Sequence, residues 1–144
     1  MKIVRVYLGG LLIVSALNAF GQGKNQKHCS TKEAMQAEDS IDELKSWDAV
    51  YASYKRFSHC DDASIGEGYS DVVGKLLGDK WAEFPKLAKL AQTDLRFQRF
   101  VLKHIDETVP ADTLEMIARN AKLRCSSGAK RLCALVAEAV AKLE

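Results

Sequence analysis

The sequence predicts an all-α protein: a single compact bundle of five or six helices stapled by two disulfides. Three observations carry this. Apolar residues recur at three- and four-residue spacing through most of the chain. No run of alternating apolar and polar residues bounded by turns marks a strand. The cysteines number 4, an even count that reads as two bridges in an exported chain.

The first segment reads as an address. Lys2 and Arg5 precede an uncharged apolar run from Val6 to Phe20, and Ala19-Phe20-Gly21 supplies small residues for a peptidase. That pattern is a secretory signal peptide, residues 1–21, cleaved near Gly21. The apolar run is short of the roughly 20 residues a membrane span needs. Export without stable membrane insertion is therefore expected. Residues 22–29 read as a flexible N-terminal extension, and residues 30–144 as the helical domain.

Two Ser-x-x-Glu sequences, Ser30–Glu33 and Ser40–Glu43, match the capping box, in which both side chains satisfy free helix-end amides. The second reads as the start of the first long helix, whose stripe is Leu44, Trp47, Tyr51 and Tyr54. Asp61 and Asp62 are placed to cap a helix carrying Ile65, Tyr69, Val73 and Leu77, with Gly78 at its end. Pro85 suits the first turn of a short helix containing Phe84, Leu87 and Leu90. Thr93 or Asp94 caps the next, with Phe97, Phe100 and Val101 inward. Asp112 or Thr113 opens a helix with Leu114 and Ile117, and a last helix runs from about Gly128 to Leu143.

Four cysteines allow three pairings. The pairing of nearest neighbours, Cys29–Cys60 and Cys125–Cys133, is the expected one. No C-x-x-C occurs, so four-ligand zinc spacing is absent and no thiol-bound metal or other cofactor is expected.

The formal net charge is +2, too small for a general drive toward nucleic acid. Loss of Lys2 and Arg5 with the leader leaves equal numbers of acids and bases. They are unevenly placed: residues 31–71 hold ten acids and four bases, and residues 72–144 hold nine acids and thirteen bases. The two halves either neutralise one another within the fold or form a bipolar surface that selects a charged partner.

The densest polar cluster is His59-Cys60-Asp61-Asp62, followed by Glu67 and Asp71. Its structural reading is helix capping beside a disulfide. Its chemical reading is a metal site or hydrolase built on His59, Asp61, Asp62 and His104, with Asp106 and Glu107 near the last. Gly66-Glu67-Gly68-Tyr69-Ser70 fails as a nucleophile elbow, which needs Gly where Val72 stands. Two glycines within a helix instead predict close approach of another backbone, from a partner helix or partner protein. Arg119, Lys122, Arg124, Lys130 and Arg131 surround Cys125-Ser126-Ser127-Gly128, either compensating a helix dipole or holding an anion.

The segment from Trp47 to Leu77, Trp-x-x-x-Tyr-x-x-Tyr-x-x-Phe-x-His-Cys-Asp-Asp and then Glu67-Gly68-Tyr69-Ser70-Asp71, resembles a family of small exported helical proteins of Gram-negative bacteria with no assigned activity. That resemblance implies an all-α fold and a periplasmic location. In architecture the chain is also similar to the periplasmic immunity proteins that neutralise type VI secretion amidases, with no functional residue carried over. The expectation is a non-catalytic domain that binds another protein, such as a toxin or enzyme, or a second copy of itself as a homodimer. Asp61, Asp62, Glu67 and Asp71 are the expected contact residues, and no residue is assigned a catalytic role.

Overall fold

The computed structural model describes residues 27–143, and all regular structure in them is helical. The proposed leader, and residues 22–26 of the extension, lie outside the described residues. Seven α-helices follow in order: α1 (Thr31–Ser40), α2 (Trp47–Phe57), α3 (Ala63–Gly78), α4 (Phe84–Thr93), α5 (Leu95–Lys103), α6 (Ala111–Leu123) and α7 (Lys130–Ala141). Single 3-10 turns at Ile41–Glu43, Ser58–Cys60, Trp81–Glu83 and Ser127–Ala129 make the tight links. None of these helices is long and apolar enough to cross a membrane.

The helix count exceeds the five or six expected, and the reason lies at the two Ser-x-x-Glu sequences. Ser30 forms the real capping box: its side chain accepts from Glu33 N, and Glu33 reaches back to the Ser30 amide. Ser40 instead ends α1, its hydroxyl donating to the Ala37 carbonyl at 2.8 Å. The cap of α2 is Ser46, in extended conformation with its oxygen accepting from Ala49 N. A separate first helix therefore precedes the aromatic one, and Leu44 is buried from the link between them.

Other starts follow the expected chemistry. Asp62 caps α3 and Asp94 caps α5, accepting from the Arg96 and Phe97 amides. Pro85 occupies the first turn of α4. Helix α6 begins after Pro110, with Asp112 and Thr113 already inside its first turn.

The core is continuous. Trp47, Tyr69, Phe84, Phe97, Leu77, Leu87 and Ile117 are its largest fully buried side chains. The aromatic stripe of α2 belongs to it. Tyr54 packs on Phe97 and Phe100 at ring separations of 5.2 and 5.0 Å, and Tyr69 meets Phe100 edge-on at 4.9 Å. Helix α3 packs on α6 through two glycines. A Cβ at Gly74 would stand 3.0 Å from Val109, and one at Gly78 3.2 Å from Thr113. Asn120 of α6 is buried there, and its amide donates to the Leu77 and Gly78 carbonyls that end α3.

Both disulfides form as expected. Cys29–Cys60 ties the residues before α1 to the corner between α2 and α3, and Cys125–Cys133 ties the α6–α7 link to the second turn of α7. No cysteine among the described residues is free, as fits an oxidising, exported environment.

Candidate functional site

The corner between α2 and α3 gathers the polar residues singled out in the sequence, and the fold separates them into two groups. Asp61 turns inward. Its Oδ1 lies 2.9 Å from His104 Nε2, and its Oδ2 accepts from Lys103 Nζ at 2.9 Å. His104, 1 % exposed, sits at the end of α5, and its Nδ1 is 2.8 Å from the Phe100 carbonyl. A carbonyl only accepts, so Nδ1 carries a proton. A short contact between Nε2 and a carboxylate oxygen then requires a second proton between them. The pair is thus a buried, proton-bearing bond between the corner and α5.

The residues around His104 meet α3 along this seam. Ser70 of α3 donates to Asp106 Oδ2 at 2.7 Å, while Asp106 Oδ1 accepts from the Thr108 hydroxyl and amide. Burial works to raise the Asp61 carboxyl, but the bonds from His104 and Lys103 outweigh it and hold the group below its ordinary range. Asp106 is lowered by the same balance, with burial opposed by its Thr108 and Ser70 bonds. Beneath the seam, the Tyr69 hydroxyl shares a 2.7 Å bond with buried Ser53.

His59 belongs to the other group. It faces α1, with Nε2 buried and 3.3 Å from Glu33 Oε1 in a geometry that makes no hydrogen bond. It lines an open groove of about 690 Å³ together with Lys27, His28, Asp62 and the Cys29–Cys60 bridge. His104 is not among the residues of that groove. The two histidines, expected to converge for a metal or hydrolytic site, are therefore spent on different contacts. Both ring nitrogens of His104 are occupied, so no lone pair remains for a metal. Among the described residues no group of three or more His, Cys, Asp or Glu side chains has the geometry of a metal site.

Asp61 also departs from the expected set of contact acids, because its side chain is only 8 % exposed and fully engaged. Asp62, Glu67 and Asp71 are exposed. Asp62 accepts from the Ala63 amide, Asp71 pairs with Lys75 one turn on, and Glu67 makes no ion pair among the described residues. The acidic surface extends to residues that the sequence reading did not single out. Glu38, Asp39, Asp42 and Glu43, at the end of α1 and in its following turn, are exposed and make no ion pair among the described residues. Ile41 holds this turn against α3: a Cβ on Gly68 would lie 3.0 Å from it. The glycine pair thus admits side chains, Asp61 beside Gly66 and Ile41 beside Gly68, and not the second backbone expected there. The acidic excess of residues 31–71 was the available signal for this face.

The bases at the far end stay apart from these acids. Lys86–Asp48 and Lys103–Asp61 bridge the two halves, but Arg119, Lys122, Lys130 and Arg131 make no ion pair among the described residues. Lys122 suits the C-terminus of α6, whereas Lys130 and Arg131 open α7, where no acid and no side-chain cap offsets the helix dipole. Bases there cost about 0.3–1 kcal/mol.

Compared with protein families, curated proteins and solved structures, the chain matches none.

Proposed function

We propose that the chain is a non-catalytic domain of the periplasm that works by binding another protein, an immunity-type inhibitor of a secreted toxin being its most concrete form. One observation carries this reading. Asp61 and His104, and Ser70 and Asp106, are bonded in pairs, and His59 stands apart from them against α1, while the acids around them stand exposed. A surface of Asp62, Glu67 and Asp71, continued by Glu38, Asp39, Asp42 and Glu43, suits a partner that presents a basic or metal-bearing cleft. Asp61 positions the corner from within.

Capture from a periplasmic extract, followed by mass spectrometry, tests this. A stoichiometric partner is expected, released by salt and lost in a Glu67→Lys/Asp71→Lys variant. Recovery of no such partner, or capture indifferent to both charge reversals, overturns the reading.

A further inference from the structure

Helices α6 and α7 form an antiparallel pair, since the start of α6 and the end of α7 border one hollow. An apolar groove of about 670 Å³ runs between them, floored by Ala118, Ala121, Ala134, Ala137 and Val140. Lys122, Lys130 and the Cys125–Cys133 bridge close one end. Past Val140 it continues into a second hollow of about 460 Å³, bounded by Asp112, Glu115, Leu114 and Leu143. The groove is therefore basic at one end, apolar along its floor and acidic at the other end. Lys122, Lys130, Asp112 and Glu115 make no ion pair among the described residues, while Lys142 at the acidic end is taken up by Glu138.

We infer that this groove is the surface on which two copies of the chain meet about a two-fold axis, the basic end of each lying on the acidic end of the other. The charge pattern argues for a second copy, because one groove carries both halves of the pair and a two-fold rotation brings them together twice. The start of α7 argues the same way. Lys130 and Arg131 stand there against the helix dipole with no side-chain cap, and a carboxylate from Asp112 or Glu115 of the second copy would offset both the bases and the dipole. Small side chains on the floor let the helix pairs approach closely. The helices involved are not those of the acidic face, so pairing leaves α1 and the start of α3 open. The inference stands whether or not that face binds a partner.

At 13 and 12 residues, the two helices are roughly 18–20 Å long. That footprint is small for a permanent dimer, so a reversible one with Kd of roughly 10–100 µM is expected. Sedimentation of protein purified without reductant, over roughly 10–500 µM, reads this directly. A monomer–dimer equilibrium is expected that weakens about tenfold in high salt. Lys130→Glu alone and Glu115→Lys alone should each weaken it about tenfold, and mixing the two variants should restore dimers, because each supplies the charge that the other lost. All four charged residues are exposed, so circular dichroism should show the fold unchanged. Where a reversal disturbs it, Lys130→Gln and Glu115→Gln replace the pair. A monomer at every concentration overturns the inference, as does dimerisation of either reversal at wild-type strength or a mixture that fails to recover. An acidic segment of another protein occupying the groove would appear as the first of these outcomes.

Discussion

Cys29–Cys60 closes a sequence separation of 31 residues, and Cys125–Cys133 one of 8. Their surroundings differ as much as their lengths. The first sits beside a corner where Asp61, Lys103 and His104 bind across more than forty residues of chain. The second sits beside exposed bases that make no ion pair among the described residues. One end of the molecule uses its polar side chains to hold distant segments together. The other is tied to distant segments through backbone carbonyls, with Trp81 Nε1 donating to the Arg124 carbonyl, which leaves its charges available to an outside surface.

The sharpest way to break the contrast is to remove the inward carboxylate. Asp61→Ala leaves His104 buried and Lys103 unpaired, and should cost about 3–5 kcal/mol in urea unfolding. Loss of the bridges comes next. Restriction of the unfolded chain gives about 4 kcal/mol for Cys29–Cys60 and about 2.5 for Cys125–Cys133. Paired Cys→Ala variants should follow that order in denaturation midpoint. Equal losses would show that loop length does not govern the difference.

Acid should weaken the corner. Asp61 and Asp106 titrate below their ordinary range, so the stability they contribute is present above pH 4 and is lost as pH falls through their folded values, below about 4. Wild type should lose stability as pH falls below about 4, and Asp61→Asn should flatten that slope. Asp62→Ala, next in sequence, removes only a cap and should cost about 1 kcal/mol.

The smallest effect is expected at Ala63, whose φ of 46° lies in the left-handed region that favours glycine. Ala63→Gly should be neutral or stabilising by about 0.5–1 kcal/mol, whereas Ala→Gly within α7 should destabilise by about 1 kcal/mol. Thermal melting of the two variants separates them.

Much of this was legible in the chain. Three- and four-residue spacing marked most of the helices, and Asp62, Asp94 and Pro85 marked three starts because capping is local chemistry. Nearest-neighbour pairing of the cysteines agreed with the fold. Helix α1 was obscured because Ser30 and Ser40 head identical-looking boxes, and only the position of Ser46 decides between them. The role of Asp61 was hidden for a different reason. Its partner His104 lies 43 residues away, and no local pattern distinguishes an inward Asp61 from an outward Asp62. The glycines of α3 signalled close packing but not the side chain, Ile41, that fills the space.

The Cys29–Cys60 bridge holds the residues before α1 against the corner. Titration of free sulfhydryls in denatured protein, purified without reductant, is the most direct test. The structure predicts no reactive thiol. Four per chain would remove both bridges and contradict the account of a stapled bundle whose exterior does the work.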